Sequence, residues 1–99
     1  MYKDDLMTLQ QCMLEVLDNP KEERIIVQTN IPSLDHIGET IYYMIDKTYG
    51  CGDELIEGTE WHVTNSEGAG TDAPDNQSAI LLFSQFPDDC IERIYVESY

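Results

Sequence analysis

The chain has 99 residues, which is enough for one small domain spanning 1–99. Twenty Asp and Glu residues against five Lys and Arg give a formal net charge of −15, yet 41% of the residues are hydrophobic, which argues against a disordered acidic tail. This charge disfavours direct binding to nucleic acid or to an anionic membrane. It favours a cation-rich protein partner, high solubility or a halophilic setting.

The acidic residues are distributed unevenly along the chain. No Lys or Arg lies between Lys47 and Arg93, so the carboxylates of that stretch have no local cation to pair with, and their field is directed outward. The ten acids concerned are Asp53, Glu54, Glu57, Glu60, Glu67, Asp72, Asp75, Asp88, Asp89 and Glu92.

Cysteine usage and the N-terminal residues bear on the cellular location. Cys12, Cys51 and Cys90 are odd in number and widely spaced, which suits a reducing cytosol better than a disulfide framework. The first residues contain no apolar signal run, and no apolar segment approaches the roughly 18 residues of a membrane span. The sequence therefore predicts a cytoplasmic protein.

The first two elements predicted are a helix and a strand. Leu6, Leu9, Met13, Val16 and Leu17 recur at helical spacing, which predicts a helix over 5–18 that ends at Asn19-Pro20. The β-branched residues that follow predict a strand over 23–28, and a turn is expected over 29–32.

The segment 33–49 is predicted to be a second helix, with Ser33 as its cap and Gly50 as its stop. At about 100° per residue, its apolar and acidic side chains separate onto opposite faces. The apolar face would hold Leu34, Ile37, Ile41, Met44, Ile45 and Thr48, and the polar face Asp35, Glu39, Tyr42 and Asp46.

The second half of the chain is predicted to be mainly β. The acidic connector 52–58 could hold a short strand or a helical turn; 59–64 alternates, with Trp61 and Val63 on one face; and 65–76 is expected to be a loop. The apolar run 77–85 is predicted to be a central strand, 87–89 a turn and 90–98 a last strand with Ile94 and Val96 inward. The predicted fold is α+β, with two helices packed on one face of a mostly antiparallel four- to five-stranded sheet, in the order α-β-α-β-β-β.

Signatures of catalysis and of cofactors are weak. His36 and His62 have no metal-ligand spacing with each other or with the cysteines, and no local motif supports a catalytic Cys–His pair. Asp72, Asp75 and Asn76 lack the spacing of a calcium loop. We therefore expect no enzyme activity, no cofactor and no metal.

The acidic face of the predicted second helix is the principal functional hypothesis. Asp35 and Glu39 would lie about 6 Å apart along the helix axis, and Glu39 and Asp46 about 10 Å. Duplex DNA carries one phosphate per about 3.4 Å of axis on each strand, so such a row could meet the Lys, Arg and helix N-termini that bind a DNA backbone. The alternative is an ordinary solvated helix face, although such faces usually mix both charges.

Two short segments resemble a known family. They are similar to short sequence motifs of the acidic phage proteins that inhibit uracil-DNA glycosylase by mimicking DNA. The first segment is Ile26 to Ile31, and the second is Thr71 to Asp75 followed by Ala79 to Leu82. Here Thr29-Asn30 stands where that family has a Glu-Ser pair. The resemblance implies partner contacts from Gln28, Thr29, Asn30, Ile31, Asp35 and Glu39, with the acids as phosphate substitutes, and a pocket for an apolar side chain of the partner formed by Leu34, Ile37, Ile41, Met44, Trp61 and Val63.

The predicted partner is a basic DNA-binding protein, such as a repair glycosylase, a restriction enzyme or a CRISPR effector. Asp46 and the connector acids Asp53, Glu54 and Glu57 are expected to join the contact surface of a monomer or small homo-oligomer. Two alternatives remain: an immunity protein or antitoxin that neutralises a nuclease, for which the six tyrosines would be suitable, and an ordinary acidic or halophilic domain. In an ordinary acidic or halophilic domain, the apolar residues of the pocket described above would simply belong to the hydrophobic core.

Overall fold

The structure, a computed structural model, describes residues 1–47 and 61–99. The predicted connector 52–58, with Asp53, Glu54 and Glu57, lies outside the described residues. The elements in chain order are α1 (Lys3–Asp18), β1 (Glu23–Pro32), β2 (Thr40–Lys47), β3 (Trp61–Asn65), β4 (Gly70–Ala73), α2 (Asn76–Ser84) and β5 (Ile91–Ser98). Within the described ranges, no helix has both the length and the apolar content needed to cross a membrane.

The predicted α+β class is confirmed. Five strands form one antiparallel sheet in the order β4-β3-β2-β1-β5. Helix α1 packs on β1 and β5, α2 packs on β3 and β4, and the two helices contact each other. Both helices therefore cover the same face of the sheet, and the other face has no helix of the described residues over it.

Several predicted elements agree with the structure. The helix over 5–18 corresponds to α1, the strand over 23–28 is the first part of β1, and the alternating segment before Asn65 is β3. The last strand is β5, in which Ile94 and Val96 pack against the core as expected. The turn at 87–89 is closed by the N–H of Cys90, which donates to the carbonyl of Pro87.

The prediction of a helix over 33–49 is wrong in the described part of that range, where a loop over 33–39 leads into β2. Gly38 has φ +85° and turns the chain in the middle of the expected helix. Thr40 to Ile45 is rich in β-branched and aromatic residues, and β2 pairs with β1 on one side and β3 on the other. Its side chains alternate, with Tyr43 and Ile45 towards the helices and Tyr42 and Met44 away from them.

The prediction of a strand over 77–85 is also wrong, because this run forms α2. Asp75 caps the helix, since its Oδ1 accepts the backbone N–H of Ser78 at 2.7 Å. Ala79 and Phe83, four residues apart, are buried on one face, while Leu81 is exposed. A short apolar run does not distinguish a buried strand from a short helix.

Two further boundaries differ, and the element order changes with them. The turn expected over 29–32 is the end of β1, and the loop expected over 65–76 contains β4. The observed order is α-β-β-β-β-α-β, with the second helix after the fourth strand and not after the first.

The core lies between the helical layer and the sheet. Trp61 and Phe83 are its largest fully buried side chains, and the indole Nε1–H of Trp61 donates to Oδ1 of Asn76. The ring of Phe83 packs edge-on against Tyr43 and Phe86 at centroid distances of 5.5 and 5.6 Å. These contacts attach α2 to β2 and β3.

The register of the strands brings three connections to one end of the sheet. Pro32 pairs with Thr40, Thr64 with Gly70, and Thr29 with Ile91. Three segments therefore lie side by side: the 33–39 loop, the 65–70 turn and the 87–92 segment. We call these segments, together with residues 1–5, the loop end. Residues 1–5 belong to it because the Met1 ammonium contacts the carbonyl of Phe86 and the carboxylate of Asp88.

Replacing Phe83 by Ala tests the packing of α2. We expect Phe83→Ala to lower the free energy of unfolding by about 3–5 kcal/mol, because it leaves a cavity between Tyr43 and Phe86. The measurement is urea denaturation followed by circular dichroism. The matched control is Leu81→Ala on the exposed side of the same helix, for which a change within about 0.5 kcal/mol is expected. Equal losses in the two variants would contradict this packing.

Candidate protein-binding surface

The loop end carries eight of the sixteen Asp and Glu side chains among the described residues. The β1–β2, β3–β4 and α2–β5 connections and the first turn of α1 all contribute acids there, and turns and helix starts are positions that favour acidic side chains. Each of these side chains is exposed or half-buried in the structure. They are Asp4, Asp5, Asp35, Glu39, Glu67, Asp88, Asp89 and Glu92.

The 33–39 loop is held by its own backbone. The N–H of Ser33 donates to the carbonyl of Glu39 at 2.9 Å, and the N–H of Glu39 donates to the carbonyl of His36 at 3.1 Å. The hydroxyl of Ser33 accepts the N–H of His36 at 3.1 Å. With Gly38 in the left-handed region, these bonds give the loop a defined conformation.

Glu67 ties this loop to the β3–β4 turn. Its Oε1 accepts the backbone N–H of Leu34 at 2.7 Å, and the amide oxygen of Asn65 accepts the N–H of Glu67 at 3.0 Å. The Leu34 bond favours the ionised form, so the pKa of Glu67 lies below its ordinary value. The two connections therefore form one continuous surface.

Asp35 and Glu67 share a proton-dependent contact. The pKa of Asp35 is raised, first because its carboxyl is hydrogen-bonded to Glu67 and second because the two charges repel. Oε2 of Glu67 is shielded from solvent and has no hydrogen-bond donor among the described residues. A protonated Asp35 carboxyl can supply that donor. The pKa of Asp35 is therefore raised, and the pKa of Glu67 is lowered.

The third segment of the loop end is fastened to β1. The backbone N–H of Asn30 donates to the carbonyl of Cys90 at 2.9 Å, and its side-chain Nδ2 donates to the carbonyl of Asp89 at 3.0 Å. The Met1 ammonium lies 3.2 Å from Oδ1 of Asp88. Asp88, Asp89 and Glu92 are thus placed beside the strand that leads into the 33–39 loop.

The cations are concentrated at the opposite end of the sheet. Lys21 and Arg24 lie at the start of β1, and Arg24 forms an ion pair with Glu97 at 3.0 Å. Lys47 ends β2, where its ammonium lies 4.6 Å from the Trp61 ring centroid. Of the five Lys and Arg, only Lys3 and Arg93 are near the loop end, where eight carboxylates gather.

The predicted acidic stripe is not present as a row. Asp35 and Glu39 stay together in the 33–39 loop, but Asp46 lies near the far end of β2. Seven residues of extended strand separate Glu39 from Asp46 by about 24 Å, against the 10 Å expected of a helix. Asp46 instead accepts a hydrogen bond from the hydroxyl of Tyr99.

The four β1 residues singled out in the sequence have different environments. Thr29 is fully buried: its hydroxyl donates to the carbonyl of Ile41 at 2.7 Å and accepts the N–H of Ile31 at 3.2 Å. Gln28 is on the helix-free face, where Nε2 donates to the hydroxyl of Tyr95 at 3.3 Å. Asn30 is exposed and Ile31 half-buried. Thr29 therefore holds the fold together and is not available to a partner.

The six residues of the predicted apolar pocket do not come together. Trp61 and Val63 are buried under the helices, and Met44 lies on the opposite face of the sheet because its neighbour Ile45 pairs with Val63. Ile41 is half-buried. Leu34 and Ile37 are 92% and 101% exposed in the 33–39 loop.

The structure adds site residues that the sequence interpretation did not assign. Glu67, Asp88, Asp89 and Glu92 were noted only as members of the cation-free stretch. The turn residues Asn65, Gly68 and Pro87 beside them were available as a signal, since acids in tight turns are held at the surface.

The helix-free face of the sheet carries a shallow hollow of about 190 Å³. Arg24, Ile26, Gln28, Tyr42, Tyr95 and Glu97 line it. The guanidinium of Arg24 also lies 5.3 Å from the ring centroid of Tyr99, so tyrosines surround this hollow.

Neither a search for metal-binding clusters nor comparisons with known proteins assigns a function to this surface. In residues 1–47 and 61–99, no group of three or more His, Cys, Asp and Glu side chains is arranged to hold a metal ion. Comparisons with protein-family models, curated proteins and solved structures found no match. The resemblance to the glycosylase inhibitors stays a prediction, and the helix expected over 33–49 is not formed in the described part of that range.

Thr29→Val tests the structural role of the buried hydroxyl. We expect it to lower the free energy of unfolding by about 1–3 kcal/mol, because the N–H of Ile31 and the carbonyl of Ile41 lose their partner. Urea denaturation measures the change. Thr71→Val, the same replacement at an exposed sheet position, is the control and should change stability by less than about 0.5 kcal/mol. A neutral Thr29→Val would show that the hydroxyl is not needed.

Asp35→Asn tests the carboxyl pair through its pH dependence. A raised carboxyl pKa means that the native protein loses stability as pH rises from the ordinary Asp value of 3.8 through the folded pKa. The variant should therefore melt at a higher temperature than the parent at pH 7.5, with the difference vanishing below the ordinary value, where residue 35 is neutral in both. Glu39→Gln removes one charge from the same loop and controls for general charge repulsion. If Glu39→Gln raised the melting temperature as much as Asp35→Asn at every pH, the pairing of Asp35 with Glu67 would be contradicted.

Proposed function

We propose that this protein is a DNA-mimicking inhibitor, which binds the basic DNA-binding site of an enzyme through its loop end and so excludes DNA. The observation that carries the proposal is that eight exposed or half-buried carboxylates, half of those among the described residues, share one end of the sheet with only two of the five Lys and Arg. The role is stoichiometric binding without turnover, and it would be exercised in the cytoplasm, where such enzymes act on DNA.

The spacing of the carboxylates supports this proposal. From the β3–β4 turn to β5 the loop end spans about three and a half strand spacings, or about 17 Å. The connections and strand ends along that edge carry Glu67, Asp35, Glu39, Asp89 and Glu92, so that five carboxyl groups over about 17 Å have an average interval of about 4 Å. One strand of duplex DNA has a phosphate every 3.4 Å or so along the axis. The loop end thus takes the place of the helical stripe expected from sequence.

The fixed geometry of the loop end also supports binding. The 33–39 loop, the β3–β4 turn and the 87–92 segment are joined by backbone hydrogen bonds and by the carboxylate of Glu67. A surface that is already ordered loses less conformational entropy on association than a flexible acidic tail does. Its field would also accelerate encounter with a cationic cleft.

The candidate targets are repair glycosylases, restriction enzymes and CRISPR effectors, all of which use basic clefts to hold DNA. Uracil-DNA glycosylase is suggested within this group by the resemblance alone. An immunity protein that neutralises a nuclease is the second candidate function, and the tyrosines around the hollow on the helix-free face favour it. In that case the contact surface would include Tyr42 and Tyr95 in place of the loop end.

The test compares two variants of equal charge. Glu39→Gln, Asp89→Asn and Glu92→Gln together remove three charges from the loop end; Glu15→Gln, Asp18→Asn and Glu22→Gln together remove three from the opposite end. Binding is measured by biolayer interferometry on purified uracil-DNA glycosylase, a restriction endonuclease and a CRISPR effector nuclease, and on DNA-displaceable proteins captured from a bacterial lysate. We expect about a tenfold loss of affinity for the loop-end variant and less than about a twofold loss for the control.

Salt and DNA competition complete the test. Raising the salt from about 0.05 M to about 0.5 M should weaken binding steeply, because exposed charges are screened. Duplex DNA should displace the protein from its target. If no protein retained at low salt is displaced by DNA, or if both charge variants behave alike, the proposed function is wrong. Loss of binding in Tyr42→Ala with an unaffected loop-end variant would favour the immunity function.

A further inference from the structure

The 33–39 loop exposes two aliphatic side chains at its tip. Leu34 and Ile37 are 92% and 101% accessible, more than any other large apolar side chain among the described residues. Single exposed apolar residues are common on protein surfaces and need no explanation. Here two branched aliphatic side chains, three residues apart, project from one turn at the end of the molecule that carries the carboxylates.

The tip is ordered although its side chains make no part of the core. The N–H of Leu34 donates to Glu67, and the N–H groups of Ser33 and His36, on either side of it, are also bonded. Gly38 then reverses the chain directly after Ile37. The backbone therefore holds the two side chains outward. A loop that served only to connect β1 and β2 would gain solubility from polar residues at these positions.

The surroundings of the tip are acidic. Asp35 lies between the two aliphatic residues, Glu39 follows them, and Glu67 is bonded to Leu34. No Lys or Arg occurs in 25–46 or in 61–92. An anionic lipid surface would repel such a tip, and a second copy of the chain would bring the same carboxylates face to face. The complementary surface is apolar at its centre and basic around it.

We propose that Leu34 and Ile37 form an apolar anchor that inserts into an apolar cleft of the partner protein, and that Lys and Arg side chains rim this cleft. The proposal rests on the function proposed above and specifies what the partner must offer there. Interfaces commonly place one or two apolar anchors at the centre and polar groups at the rim, and the centre carries most of the affinity. Leu and Ile lose little side-chain entropy when they are buried.

The anchor and the carboxylates should have different kinetic effects. Charges act at a distance and chiefly raise the association rate, so their removal should slow association and reduce the salt dependence. An inserted apolar side chain acts only after contact, so its removal should speed dissociation. The two contributions to binding can therefore be measured separately on the same partner.

The test uses Leu34→Asn with Ile37→Asn. The control also replaces two exposed aliphatic side chains by Asn, Leu14→Asn with Leu81→Asn on the helical layer. Binding is followed by biolayer interferometry on a target that the parent protein binds in a DNA-displaceable way. We expect the anchor variant to lose about 30-fold or more in affinity through faster dissociation, with its salt dependence unchanged. The control should bind like the parent. Circular dichroism should show both variants folded.

The outcomes separate this inference from the proposed function. Parent-like binding by the anchor variant, with binding still salt-dependent, overturns the anchor and leaves DNA mimicry standing. Loss of binding in the anchor variant, together with salt-independent binding by the parent, supports the anchor and overturns mimicry. If the parent forms oligomers and the anchor variant does not, the tip binds a second copy of the chain. If the parent binds neutral phosphatidylcholine vesicles through the tip, the tip binds a lipid surface. Either result would also overturn the proposal.

Photo-crosslinking provides a measurement that does not depend on knowing the target. A benzophenone amino acid is placed at position 37, or at position 81 as the control, and irradiated in a bacterial lysate. We expect crosslinks from position 37 to map, by mass spectrometry, to apolar residues flanked by Lys and Arg on DNA-binding proteins. Crosslinking at position 37 no greater than at position 81, or confined to acidic or polar surfaces, would contradict the anchor.

Discussion

The pairing of β1 with β2 and β5 is the interaction on which the rest of the molecule depends. Val27 pairs with Tyr43 on one side and Ile94 on the other, and this register faces Ile25, Val27 and Thr29 towards the helices. A shift of one residue would turn those side chains to the opposite face. The same register places the 33–39 loop beside the start of β5, so the core and the acidic loop end have a common origin.

The charge of the molecule opposes its compactness, and the core between helices and sheet offsets that repulsion. Most carboxylates of the described residues lie on turns and helix ends, where they remain solvated. The contact between Asp35 and Glu67 is an exception, since two acids are held together and one oxygen of the Glu67 carboxyl is shielded from solvent. Leu34 and Ile37 expose apolar surface on the same loop. Features that do not help folding are thus concentrated in one place, as expected of a surface shaped by binding.

Part of the site could be predicted from sequence, and part could not. The charges of Asp35 and Glu39 predict them on the contact surface, and both lie at the loop end. The helical period predicted for 33–49 adds Asp46 to that surface, but β2 does not have that period. The resemblance implies a pocket that joins Trp61 and Val63 to Leu34 and Ile37, yet Trp61 and Val63 are core and Leu34 and Ile37 are exposed. The helix predicted for 33–49 is what places Asp46 beside Glu39 and Leu34 on an apolar face, and that helix is not formed in the described part of the range.

The sequence by itself determined the charge excess, the cation-free stretches, the α+β class and the elements whose patterns fit only one period, such as α1 and β5. Only the tertiary structure decided that 40–47 is a strand and 76–84 a helix. In 40–47 the apolar residues suit both periods, and strand partners on both sides satisfy its backbone groups. In 76–84 the apolar run, Ala79 to Phe83, is only five residues long, and the Asp75 cap and the burial of Phe83 beside Tyr43 select the helix. The union of eight carboxylates in one surface at the loop end was likewise decided in three dimensions, because strand register brings together residues that are far apart in the chain.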